Sequence, residues 1–317
     1  MKDFWKETKQ EIKKDDRGKR DIMIRPRSIR WRYRDKMILA DIEGCGSFVF
    51  SPWAETQLCN WLKIPTKYFR QCPGELKKAQ VEYWLKNRIE LNDIWLLRLK
   101  GKTVRAVLSR YYEPFDNKKI IKLWEKLGFA ERLDCELAFD DTFFYLRALA
   151  ASDLVHIDSV YRMLPGVYVR NSEVGRSSFS VGPSIFRSGF SNGLVVGTGL
   201  IPLFQQRHMW IKEETIEQNF TEAIIESLEM ARETIVEMVK ASAIPASEDD
   251  LLREMDAMEV PEQLRQTSIN LFRETSDNSM LTVIDVVTYA ARTLPPHERF
   301  KLETEVGWML ESVTRMS

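Results

Sequence analysis

The residues of this chain best suited to chemistry are arginines set among aromatic rings. Residues 20–36, RDIMIRPRSIRWRYRDK, place Arg25, Arg27, Arg30, Arg32 and Arg34 around Ile29, Trp31 and Tyr33. Side chains alternate along an extended strand, so Arg30, Arg32 and Arg34 share one face and Ile29, Trp31 and Tyr33 the other. Guanidinium groups hold phosphates while rings stack bases, which is how a platform for single-stranded nucleic acid works. The plainer reading makes the aromatics core and the arginines a wet face. A second arginine-bearing stretch runs from Arg162 to Gly199 and includes seven of the chain's fourteen glycines with Arg162, Arg170, Arg176 and Arg187. Val167, Val169, Phe179, Val181, Phe186 and Phe190 alternate between them as strands with one buried face require. Arginines on such a surface hold an anion, or pair with nearby carboxylates in an ordinary β meander.

Catalytic patterns are missing. His156, His208 and His297 form no metal-spaced pair, and Cys45, Cys59, Cys72 and Cys135 contain no CxxC. HExxH, GxSxG, GxxxxGK[ST] and GxGxxG are absent; Gly44 and Gly46 make only GxG, and Gly193–Gly199 lacks a phosphate-loop lysine. Asp140/Asp141 and Asp153/Asp158 are acidic pairs of the kind a metal-dependent nuclease uses, but no pattern selects them from the other carboxylates, and turn chemistry more often explains Asp140 and Asp141. No catalytic residue, metal or cofactor is expected.

Lysine plus arginine and aspartate plus glutamate each total 47, but they are unevenly placed. Residues 1–127 carry 30 basic against 17 acidic residues, a net of +13, and residues 128–317 carry the reverse, −13. Beyond residue 211 only 10 basic residues face 22 acidic ones. That asymmetry fits a polyanion-binding half with a solubilising acidic cap, or head-to-tail contact between subunits. No apolar run reaches the roughly 18–20 residues of a membrane span, and MKDFWKETKQ has no apolar signal core. A cytoplasmic protein with reduced thiols is expected.

The elements that must position these residues read as α+β. The charged residues 1–20 are expected as a mobile arm or loosely attached helix. Residues 21–211 are expected as a core of mainly antiparallel sheet with packed helices. MILADI and SFVF read as strands, Ser51-Pro52 as a capped helix start, residues 74–91 as a helix, and 94–109 as a hairpin turning at Gly101-Lys102. Asp116 or Asn117 can cap KKIIKLWEKL, which Gly128 ends, and 133–139 pairs with 143–150. Residues 212–317 are expected to be all-α, with helix starts at Thr215, Ser247, Pro261, Ser279 and Pro296.

Three segments, VRAVLSRYYEPFDN (104–117), NSEVGRSSFSV (171–181) and RSGFSNG (187–193), resemble the signature segments of a phage- and plasmid-borne family, domain-of-unknown-function family 932. Ser109, Asn117, Asn171, Ser172, Glu173, Gly175, Arg187, Asn192 and Gly193 occupy its motif positions; Phe190-Ser191 departs from a Cys-Thr-like pair. The resemblance covers about residues 104–193 and implies a mobile-element origin more than an activity. In plan the chain is also similar to single-strand annealing recombinases of the RecT and Red-beta type, which form rings or filaments and lay one strand in a basic groove.

The expectation is therefore a single-stranded DNA-binding or annealing protein of phage or plasmid recombination, homo-oligomeric and at work in the bacterial cytoplasm. Arg30, Arg32, Arg105, Arg110, Lys118, Lys119, Arg170, Arg176 and Arg187 would hold phosphates while Trp31 or Tyr33 stacks a base. Asn117, Asn171, Glu173, Gly175, Asn192 and Gly193 would be structural. The alternatives are an oligomeric interaction factor of a mobile element, such as an inhibitor of host defence, and a metal-dependent nuclease.

Overall fold

The computed structural model describes residues 2–150, 155–156, 162–187, 192–195, 202–211, 213–275 and 278–316. Asp153, Asp158, Phe190, Ser191 and Gly197–Gly199 lie outside the described residues, as do the side chains of Arg162, Arg187 and Asn192. The fold is α+β, and it divides into two units. One comprises Lys9–Lys118 with Glu173–Arg176; the other comprises Met1–Thr8, Lys119–Ser172 and Ser177–Ser317. The first holds 26 basic against 15 acidic residues, a net of +11, and the second 21 against 32, a net of −11. We call them the basic and acidic units. The expected boundary near residue 211 is not where the chain divides, because the helices beyond it pack directly on the preceding sheet.

The charged N-terminus forms helix α1 (Lys2–Asp15), in which Thr8 and Ile12 are buried. Trp5 donates its indole N–H to Glu125 at 2.9 Å. These contacts tie down what the charge pattern alone marks as an arm.

In the basic unit, β1 (Lys19–Ile24), β2 (Arg30–Arg34), β3 (Met37–Ile42) and β4 (Gly46–Phe50) precede α2 (Pro52–Leu62), α3 (Thr66–Gln71) and α4 (Gly74–Arg88). The hairpin β5 (Trp95–Lys100) and β6 (Thr103–Ser109) follows. The strands form one sheet in the order β1-β5-β6-β4-β3-β2, antiparallel except where β4 runs parallel to β6. Local signals set its helices: Ser51 Oγ accepts from the Ala54 N–H at 3.1 Å, Pro52 opens α2, and Lys63 ends it at φ +55°. The helices cover one sheet face, sealing Trp31, Ile38, Phe48, Leu58, Leu97 and Val104 into the core.

Helix α5 (Asn117–Lys126) crosses the division between the units, and α6 (Phe129–Arg132) follows Gly128, which sits at φ +74°. The acidic unit's sheet comprises β7 (Asp134–Phe139), β8 (Phe144–Leu149), β9 (Val155–His156), β10 (Arg162–Asn171), β11 (Phe179–Arg187), β12 (Asn192–Val195) and β13 (Phe204–Gln206), all antiparallel. Its backbone order is β12-β11-β10-β8-β7, with β9 beside β10 and β13 beside β11. Then come α7 (Glu213–Ser242), α8 (Glu248–Ala257), α9 (Glu262–Glu274), α10 (Met280–Ala290) and α11 (Pro296–Met316). Ser247 and Asp250 form the expected style of capping box, and Ser279 caps α10 through the Thr282 N–H. Helix α7 begins two residues before Thr215, which is therefore a first-turn residue rather than a cap.

Side-chain alternation sends the two faces of this sheet to different helices. Phe179 stacks on Phe220 of α7 at 5.5 Å, while Tyr145 and Tyr168 each meet Phe300 of α11 at 5.1 Å. Among the described residues no helix is long and apolar enough to cross a membrane. All four cysteines are free thiols, and burial pushes Cys59 up to about 11.

Candidate nucleic-acid interface

Strand β2 lies at an edge of the basic sheet, and its RWRYR sequence splits by alternation. Trp31 turns inward, is 3% exposed, and stacks on Phe50 with centroids 5.7 Å apart. It is a core residue, so of the two rings expected to stack a base only Tyr33 reaches solvent, at 47% exposure. Gly74 at the N-terminus of α4 packs beside Tyr33, and its N–H donates to Asp35 O at 3.2 Å.

Arg30, Arg32 and Arg34 point to the uncovered face and are exposed. Their cross-strand partners are Asp41, Leu39 and Met37 on β3. Arg32 holds Asp41 through Nε at 2.5 Å, and Ser47 on β4 also donates to that carboxylate at 2.5 Å. The Ser47 hydrogen bond, with Arg32 beside it, keeps Asp41 below the ordinary carboxylate range. Arg30 and Arg34 make no ion pair with any described residue. Arg30, whose charge also acts on Asp41, and Arg34 present N–H forks to solvent at little cost, and a phosphate can displace that water.

Arg105 is placed differently from expectation. It is 4% exposed, and its Nη2 donates to Glu173 Oε2 at 2.9 Å. Lys19 Nζ reaches the same oxygen at 2.7 Å, and the Asn117 backbone N–H donates to Oε1 at 3.0 Å. Arg98 donates to the Glu173 carbonyl at 2.6 Å and pairs with Asp21 at 3.0 Å and Asp116 at 2.7 Å. Tyr112 OH donates to that carbonyl too, at 3.0 Å. The neighbouring Val174 carbonyl takes Trp53 Nε1 at 3.0 Å and Gln57 Nε2 at 2.8 Å. Gly175, at φ +73°, completes the turn, with a Cβ there falling 2.8 Å from Leu108 Cδ2.

This cluster is internal and carries no visible reactivity. Burial alone would raise the Glu173 carboxyl, but Lys19 and Arg105 with the Asn117 N–H bring it down to about 2. A carboxylate clamped in this way neither accepts nor donates a proton near neutral pH. Arg105 is accordingly spent on the fold and unavailable to a phosphate. Of the motif residues, Asn117, Glu173 and Gly175 meet in this turn; Asn171 and Ser172 are buried in the acidic unit, where Ser172 Oγ donates to Thr142 O at 2.6 Å. Arg187 pairs with Asn192, and Phe186 with Gly193, across β11 and β12.

Arg110 lies over the ring of exposed Tyr111 at 4.7 Å and donates to its hydroxyl at 2.6 Å. Arg176 lies 5.3 Å from the Trp53 ring. Exposed Lys118 pairs with Asp16 at 2.9 Å, a hydrogen bond that raises its pKa. Arg170 and Lys119 belong to the acidic unit. Asp140 accepts from Thr142 N, Thr142 Oγ1 and Phe143 N at 2.6–2.9 Å, so it ties its own turn. Among the described residues no group of three or more His, Cys, Asp or Glu is placed to hold a metal ion.

Two features escaped the sequence reading. Arg98 sits in the buried run WLLRLK, and an arginine inside such a strand is the signal for an internal ion network. Leu76 and Tyr83, whose spacing marks the helix over 74–91, are 41% and 58% exposed, and with Tyr68 of α3 at 50% they form an apolar surface whose exposure the helical period does not announce. No protein-family model, curated protein or solved structure matches the chain.

Proposed function

We propose that the chain binds single-stranded DNA along its backbone, without chemistry, through the uncovered face of β2–β4, as an annealing protein of mobile-element recombination would. The observation that supports this best is the row Arg30, Arg32 and Arg34, exposed on one face of an edge strand, with two of the three lacking an ion pair among the described residues. The unit's net charge of +11 adds long-range attraction for a polyanion. Tyr33 lies on the opposite, helix-bearing face of this edge strand, so a base would stack on its exposed ring where the DNA strand rounds the sheet edge.

The test is fluorescence anisotropy of a labelled single-stranded oligonucleotide across a salt series, with the matching duplex alongside. Affinity should favour the single strand and fall with salt at a log–log slope of about 0.7 per neutralised phosphate. Replacing Arg30 and Arg34 together by Ala should reduce that slope by about 1.4. A flat salt dependence, or a double variant that binds as wild type, would sink the reading. The second reading, an oligomeric interaction factor, draws support from exposed Tyr68, Leu76 and Tyr83. Light scattering that shows self-association abolished by Tyr83→Glu, with no DNA affinity at low salt, would favour it instead.

A further inference from the structure

Strand β10 carries a guanidinium that no described carboxylate of the acidic unit neutralises. Arg170 is half-buried on the α11 side of the sheet, with Ser180 opposite it on β11 and Tyr145 on β8. Its Cζ lies 4.8 Å from the centroid of buried Phe300, so one face of the guanidinium is covered by a ring. Its buried Nε has no hydrogen-bond partner, and no described carboxylate pairs with it. Burial lowers its pKa, against the smaller opposing effect of Tyr168 and Tyr145.

Two other described guanidiniums, Arg299 on α11 and Arg147 on β8 beneath it, are treated differently. Arg299 Nε meets Glu303 at 2.9 Å and its Nη1 meets Glu136 at 3.0 Å, while Arg147 pairs with the same two carboxylates. Two cations and two anions balance there, and Tyr145 adds a hydroxyl to Glu303 at 2.6 Å. Among the described residues Arg170 is one positive charge in excess. Withdrawing such a charge from water without a partner costs free energy that an incoming anion recovers.

We infer that Arg170 anchors a site for a single carboxylate. Nε is closed off from solvent, but the two Nη groups are not, and their paired N–H groups in the guanidinium plane can receive two oxygens side by side. Polar groups continue outward from it: Ser180 Oγ is 3.0 Å from Ser178 Oγ, which accepts from exposed Gln205 Nε2 at 2.8 Å. The charge in excess is one, and the surrounding unit carries −11, so a monoanion suits the site where a polyanion would be repelled. Every group named belongs to the acidic unit, so the inference stands apart from the DNA-binding reading.

The experiment follows the arginine Nε–Hε resonances of the full chain by NMR. Sodium acetate is titrated against sodium chloride at constant ionic strength, and the Arg170 signal is identified by its loss in Arg170→Met. Acetate should shift that signal saturably and chloride should not. At acetate a hundred times its Kd, the folding constant of wild type should rise about a hundredfold, and that of Arg170→Met should not change. A peptide with a free terminal carboxylate, set against its amide, separates the sources: competition with acetate at lower concentration identifies a protein partner, and its absence a small acid. A signal that ignores acetate overturns the site, with or without a folded variant. Phosphate acting at lower concentration than acetate overturns the carboxylate assignment.

Discussion

Glu173 shows how one residue can organise a unit from a short turn. It is 4% exposed, and the two cations on its carboxylate come from β1 and β6. Glu173→Gln keeps the shape but leaves Arg105 and Lys19 facing a neutral amide. Removing one partner of a buried ion pair typically costs about 3–5 kcal/mol, because the remaining charge stays desolvated. Urea denaturation should therefore show a lower midpoint with an unchanged slope. A loss below about 1 kcal/mol would mean that water already reaches these groups, as it does for surface pairs. Glu173 was legible as a structural residue, yet its partners were not: Arg105 lies 68 residues away along the chain and Lys19 lies 154 away.

Among the elements, helix α4 and the β2–β3 turn set the geometry of the arginine face. Gly74 opens α4 against that turn, where an added Cβ would lie 2.3 Å from Asp35 O and 3.0 Å from Tyr33 Cβ. Gly74→Ala must push the helix or the turn aside, an overpacking change that costs about 1–3 kcal/mol. Thermal unfolding should register it, and under the proposed function DNA affinity should weaken as β2 shifts. An unaltered melting temperature would show that the turn yields freely. The helix starts at Ser51-Pro52, Ser247 and Ser279 were readable because caps act within one turn. The seat of α4 was not, since it depends on a carbonyl from another element.

Across the whole molecule, acid should act through carboxylates that the fold holds ionised. Glu173 is lowered from 4.5 to about 2, burial being outweighed by Lys19 and Arg105. Burial of Glu136 is outweighed by Arg147 and Arg299, and that of Asp15 by Lys100 and Lys19, so both also fall below their ordinary values. A carboxylate whose folded pKa is depressed stabilises the fold above its unfolded pKa and loses that contribution as pH drops through the folded value. Melting temperature at fixed ionic strength should change little through these groups from pH 7 to 5, then fall steadily towards pH 2. A melting temperature that holds down to pH 3 would show that these carboxylates are not strongly coupled to folding. The same scale explains the division of charge. The shift from basic to acidic sequence near residue 127 lies closer to the division at residues 118 and 119 than does the change to all-helical sequence near 211.

Residue order by itself determined the α+β class, most helix starts, both main hairpins and the polarity of charge, because caps, turns and side-chain periods act over a few residues. It also determined that Arg30, Arg32 and Arg34 share a face. Tertiary structure alone decided which faces are covered: Trp31 became core, Arg105 and Arg98 became internal cations, and Arg170 came to rest on Phe300 without a carboxylate among the described residues. Alternation tells two faces apart but carries no information about what will lie against either, and a charge is neutralised by whatever the fold brings within a few ångströms of it.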